Sequence, residues 1–161
     1  LLRAFKRLKE ERQFKDLKLI KVGRAGGKEV DYRGQTMEVI NSLNLDNEVI
    51  FTEFISEGKL RAYYCGAECL IFPSLYEGFG FPSLEAMACG CPVISSESSS
   101  LPEIVGEAAI KVSPQDPEGL ARALEEGSHR SKVKRKSYQN GSRTGCEVFL
   151  GANSRKDSWG L

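Results

Sequence analysis

Two glutamates, Glu77 and Glu85, bracket the short segment Gly78-Phe79-Gly80-Phe81-Pro82-Ser83-Leu84. An ionised carboxylate accepts hydrogen bonds at two oxygens, which suits a pair of vicinal hydroxyls. Gly78 and Gly80 let the backbone approach a ligand closely and expose its amides. Pro82 marks a helix start, where a missing N–H costs least. The positive end of that helix favours a phosphate. Two hydroxyl-binding carboxylates beside a phosphate-friendly helix start fit a sugar joined to a nucleotide diphosphate. Each piece alone has a plainer reading. Glu85 would complement the helix dipole, Glu77 would be an exposed loop acid, and a Gly-x-Gly is common.

These residues need elements to hold them. Leu1, Leu2, Phe5, Leu8 and Phe14 recur near helical spacing, predicting an amphipathic helix over about the first dozen residues. Leu17 to Val22 reads as a buried strand that ends at Gly23, the start of a glycine-rich loop, 23–27. A helix is expected from Tyr32 to Leu43, a strand at 49–51, a short helix from Leu60 to Cys65 and a strand from Cys69 to Phe72, stopped by Pro73. After the loop 74–81 come a helix from Pro82 that Gly90 ends, a strand at 92–95 and another at 109–112. A last helix spans Pro117 to Glu126 with Asp116 as its N-cap. Strands alternating with helices predict an α/β fold, a parallel sheet with helices on both faces. Such sheets bind ligands at the carboxyl ends of their strands, so the loops after Val22, Phe51 and Phe72 carry most interest.

From Gly127 the apolar periodicity disappears. Lys132, Lys134, Arg135 and Lys136 crowd together, then Gly, Ser and Asn dominate. The expected organisation is therefore an α/β domain over 1–126 and a polar tail, loop or irregular, over 127–161. The basic run reads as a solvated tail, and a net charge of +1 gives no general case for nucleic acid. A chain of 161 residues, 40% hydrophobic and 28% charged, suits one globular domain. No apolar run approaches the roughly 20 residues of a spanning helix. Neither a transmembrane segment nor a signal peptide is visible, and a cytoplasmic location is expected. The five cysteines, Cys65, Cys69, Cys89, Cys91 and Cys146, are expected to be reduced and mostly buried. Their spacing makes no zinc pattern, and the one histidine, His129, reads as a solvated side chain in the tail.

Taken together, the string F-P-S-L-Y-E-G-F-G-F-P-S-L-E-A-M-A-C-G-C-P-V-I-S, residues 72–95, resembles the Glu-(seven residues)-Glu core of the family 4, or group 1, retaining glycosyltransferases. S-L-P-E-I-V-G-E-A-A, from Ser100 to Ala109, is similar to the family segment that follows. V-I-F-T-E-F-I-S, from Val49, resembles its nucleobase loop. The resemblance covers residues 1 to about 126. It implies the C-terminal, Rossmann-like half of a two-domain enzyme that transfers a hexosyl group with retention. The partner it implies is a nucleotide-diphospho-sugar, with no metal and no other cofactor.

Residue by residue, the resemblance gives Glu85 to the ribose hydroxyls and Glu77, the one catalytic candidate, to hydroxyls of the donor hexose. Backbone amides from Gly78, Phe79, Gly80 and Phe81 would meet the hexose, and those near Ser83 and Leu84 the diphosphate. The base would rest against Phe54 and Ile55, with Gly23 on the phosphate side. Arg24 matches phosphate geometry, although a Gly-Arg at a strand end can equally be exposed. No protein nucleophile is evident, and Glu77 is not assigned that part. The G-R-A-G-G stretch at 23–27 is not the dinucleotide fingerprint G-x-G-x-x-G, which disfavours another kind of Rossmann-like nucleotide binder.

Two departures from the family bear on turnover. The chain is expected to begin inside the first helix of the nucleotide-binding domain, so an N-terminal acceptor domain would come from elsewhere. Its tail does not resemble the family's ending and is compatible with a shifted reading frame. A donor-binding domain is therefore expected, inactive alone. The alternative is a non-catalytic remnant of a disrupted gene that keeps the fold.

Overall fold

The computed structural model describes residues 1–23, 32–137 and 147–151, with side chains over 1–23 and 34–129. Among the described residues, six α-helices, α1 (Leu2–Glu10), α2 (Tyr32–Ser42), α3 (Glu57–Gly66), α4 (Phe81–Ala88), α5 (Leu101–Val105) and α6 (Pro117–Ser137), accompany six strands. The strands are β1 (Lys18–Val22), β2 (Val49–Thr52), β3 (Ala67–Phe72), β4 (Val93–Ser96), β5 (Ile110–Val112) and β6 (Glu147–Gly151).

All six strands run parallel in one sheet of order β2-β1-β6-β3-β4-β5. Alternation along β3 shows how the sheet is covered. Cys69 and Ile71 enter a cluster with Phe5 and Leu8 of α1, Ile40 of α2, and Leu120 and Leu124 of α6. Leu70 and Phe72 enter the opposite cluster with Tyr64 of α3, Ala86 of α4, and Leu101 and Val105 of α5. Every β3 residue is buried, as a parallel strand covered on both faces requires. The predicted α/β class with helices on both faces is the one observed.

Differences fall where local pattern is weakest. The last helix does not stop at Glu126. It continues to Ser137, into the stretch expected to be irregular. His129 consequently lies on α6, its ring 6.2 Å from that of Phe14, and its side chain is exposed to solvent as expected. The same stretch supplies β6, which inserts between β1 and β3. The five-residue α5 was not anticipated either. The Asp116 cap is as expected, with its Oδ1 accepting from the Glu118 amide at 3.0 Å.

Among the described residues no helix is long and apolar enough to cross a membrane. Cys69 and Cys91 are buried, Cys89 is half-buried and Cys65 is exposed, all as free thiols. Cys146 lies outside the described residues.

Candidate functional site at the carboxyl edge of the sheet

Because all strands are parallel, the ends of β1, β2 and β3 lie along one edge. The chain steps outward from β1 to β2 on one side, then from β3 through β4 to β5 on the other. The reversal between β1 and β3 is the switch point at which open α/β sheets place ligands. Gly23, Phe54 and Ile55, and the loop from Pro73 to Gly80 all follow strand ends on this edge. These predicted residues therefore share one edge of the sheet. Arg24 lies outside the described residues.

The loop carrying Glu77 is pinned from α5. The Ser100 hydroxyl donates to the carbonyls of Glu77 at 2.8 Å and Gly78 at 2.9 Å. The Ser99 hydroxyl donates to the Glu77 carbonyl at 3.0 Å. With its backbone fixed, the half-buried Glu77 side chain accepts from the Gly78 amide at 3.2 Å through Oε1. Ser99 and Ser100 were missed as site residues. Their sequence signal was the family-like segment starting at Ser100.

The two glycines differ. Gly80 sits at φ +68°, where a Cβ would lie 2.5 Å from Leu101 Cδ2, so packing and backbone both demand glycine. A Cβ on Gly78 would meet nothing within 4 Å. Gly78 thus leaves open space beside Glu77, the quality required where a ligand comes close to the backbone. Gly23 also has positive φ, and its amide donates to the carbonyls of Thr52 and Glu53 at 3.1 and 3.2 Å, joining the ends of β1 and β2.

Gly80 caps α4 with its carbonyl accepting from the Ser83 amide at 3.0 Å. Ser83 is fully buried, and its hydroxyl has no hydrogen-bond partner among the described residues. Its amide is thus already engaged, while Leu84 is half-buried in the same first turn. The Phe79 and Phe81 rings meet tilted, 4.7 Å between centroids, yet the residues remain 50% and 59% exposed, and Phe54 is 92% exposed. Aromatic faces left in water at a site's rim offer stacking surface for a base or a sugar.

Glu85 is exposed on α4, and its Oε2 accepts from the Tyr64 hydroxyl of α3 at 3.1 Å. Burial, then the charge and hydrogen bond of Glu85, push the Tyr64 phenol far above its ordinary pKa. Tyr64 is therefore a neutral donor across the working pH range. Nothing at the sequence level links residues 64 and 85. A hollow lined by Met87, Gly90, Cys91 and Ile110 lies toward the opposite, amino edge of the sheet. It contains none of the carboxylates. Among the described residues no group of His, Cys, Asp and Glu side chains could hold a metal ion.

The fold is that of a Rossmann-like α/β domain, and comparison with known proteins supplies the family. Residues 1–128 match the model of the group 1 glycosyl transferases, and the chain belongs to that family. It is 35% identical over 152 residues to the MMP alpha-(1->4)-mannosyltransferase of Mycolicibacterium hassiacum, an alignment covering 92% of this chain and 35% of that protein. It is 36% identical over 94 residues to O-antigen chain mannosyltransferase B of Escherichia coli, covering 56% of this chain and 25% of the relative. The chain thus spans about a third or less of the length of these relatives. Among solved structures, the C-terminal domain of the group 1 glycosyl transferase LpcC from Francisella tularensis superposes with a TM-score of 0.70 at 27% identity, covering 86% of this chain and 72% of that one.

Proposed function

We propose that the chain is the donor-binding domain of a retaining hexosyltransferase and holds a nucleotide-diphospho-sugar at the carboxyl edge of its sheet. The observation that carries this reading is the placement of Glu77 and Glu85 on either side of the α4 start, beside the switch between β1 and β3. Glu85 takes the ribose hydroxyls through its carboxylate. Glu77, held by its pinned backbone, takes hydroxyls of the hexose next to the open space at Gly78. The amides from Gly78 to Phe81 face the hexose, and the diphosphate meets the positive end of α4 near Ser83 and Leu84. Phe54 and Ile55 offer the base an apolar rest, with Gly23 and Arg24 on the phosphate side.

The work of such a site is electrostatic. When the bond from the anomeric carbon to the diphosphate breaks, negative charge grows on the leaving phosphate, and fixed dipoles stabilise it without reorganising. Glu77 orients the hexose for that step and forms no bond to it. The names of the matched relatives point to a mannosyl group as the hexose. An acceptor pocket from another domain would complete turnover by excluding water.

Calorimetric titration with UDP-, GDP- and ADP-sugars tests the reading. Binding of one class that Glu85→Ala abolishes supports it. Absence of binding by all three would sink it in favour of a remnant that keeps only the fold.

A further inference from the structure

We propose that Tyr64 is the positioning residue of the donor site, fixing the Glu85 carboxylate so that its second oxygen is free to accept from the nucleotide ribose. The inference rests on the donor-binding reading of Glu85. It adds a residue from a different helix, outside the motif.

A glutamate on an exposed helix face samples several rotamers, and binding must freeze one of them. Here the choice is already made. The Tyr64 ring is 3% exposed, locked in the apolar cluster with Leu70, Phe72 and Ala86, so its hydroxyl has a fixed position. That hydroxyl donates its single proton to Oε2 of Glu85 at 3.1 Å. One carboxylate oxygen is thereby anchored from below, and Oε1 remains for a ligand. A buried phenol resists ionisation, so the donor does not switch off near neutral pH. The contact also joins α3 to α4, so the ribose-binding group is held by the packed core as well as by its own helix.

A ribose-specific readout separates positioning from packing. The chain is titrated calorimetrically with UDP and GDP, each beside its 2′,3′-dideoxy counterpart, and the affinity ratio of the pair is taken for whichever base binds. For Tyr64→Phe, affinity for the ribonucleotide is expected to fall about threefold to tenfold while the dideoxy form is unchanged, so the ratio shrinks. Glu85→Gln should shrink it at least as far, and the double variant should lose nothing more. A Tyr64→Phe ratio equal to that of the unsubstituted chain, or an equal loss for both ligands, overturns the proposal while the ribose reading of Glu85 stands. An unsubstituted chain that does not distinguish the pair overturns both. If Tyr64→Phe fails to fold, 3-fluorotyrosine at position 64 keeps ring and hydroxyl but makes the donor more acidic. A changed ratio then supports positioning, and an unchanged one overturns it.

Discussion

Val22 and Gly151 pair across adjacent parallel strands, so the last described residues of the chain finish beside the end of its first strand. β6 pairs with β1 through Lys18 to Val22 and with β3 through Ala67 to Ile71. It is the strand that joins the β2-β1 pair to the β3-β4-β5 set, and the candidate site straddles that junction. Phe149 is opposite Ile20 on one side and Leu70 on the other. Phe149→Pro removes an amide from the middle of a doubly paired strand. It is expected to cost about 3 kcal/mol or more, by analogy with other interior prolines. Urea unfolding reads this directly. A loss under about 0.5 kcal/mol, the scale of a neutral surface change, would deny β6 its central place.

The glycines of the motif should separate folding from binding. Gly80→Ala forces a side chain into the left-handed region, costing roughly 1–2 kcal/mol before any clash with Leu101. Gly78→Ala meets open space and should leave thermal stability within about 0.5 kcal/mol. In the proposed site, however, its methyl occupies space that the hexose needs. A Gly78→Ala chain with native melting temperature and reduced nucleotide-sugar affinity is the expected result. Unchanged affinity would remove Gly78 from the contact surface.

Acid should weaken the ion pairs that tie α1 and β1 to the turn before β2. Lys9 and Lys18 reach Glu48 at 2.7 and 3.0 Å. Burial works against the Glu48 carboxylate, but the hydrogen bonds and charges of the two lysines outweigh it and hold its pKa below the usual 4.5. A carboxyl with a lowered native pKa stabilises the fold fully above its unfolded value. It loses that contribution as pH falls through the native one. Glu48→Gln should therefore cost about 1 kcal/mol at pH 7, and the gap to the unsubstituted chain should close in acid. Thermal melts from pH 7 to pH 2 check this. A gap that persists to pH 2 would show that the ion pairs are not its source.

Much of the fold was legible because the signals are local. β3 announces itself as the apolar run Cys69 to Phe72 before Pro73, and Asp116 as a cap two residues before the amide it accepts from. β6 was illegible for the opposite reason. Its five residues sit among Gly, Ser and Asn, and the edges of β1 and β3 make them a strand. α6 runs past the expected end at Glu126, where the apolar periodicity disappears at Gly127. A Cβ there would lie 3.2–3.4 Å from Ile94 and Cys69, so that glycine lets the helix approach the sheet closely. In the candidate site, the loop and helix start that carry Glu77 to Glu85 were legible from residue type and spacing. Tyr64 and Ser100 were not, since their parts depend on α3 and α5 packing beside the motif in space.

Ser100 supplies a test of the loop independent of the motif itself. Its hydroxyl bridges the carbonyls of Glu77 and Gly78, tying the start of α5 to the backbone that presents the Glu77 carboxylate. One hydroxyl has one proton, so the two acceptors share it, and the net contribution to stability should be about 1 kcal/mol. Ser100→Ala removes the tie but leaves Ser99 donating to the Glu77 carbonyl, so the loop is loosened rather than released. In the proposed site the hexose contact would depend on where Glu77 stands, whereas the ribose contact would be held separately through Glu85 and its Tyr64 hydrogen bond. Ser100→Ala should therefore weaken binding of the nucleotide sugar more than binding of the bare nucleoside diphosphate. Titrating both ligands into both chains decides it. An equal loss for the two would mean that Ser100 supports the fold of the edge generally and does not set the position of Glu77.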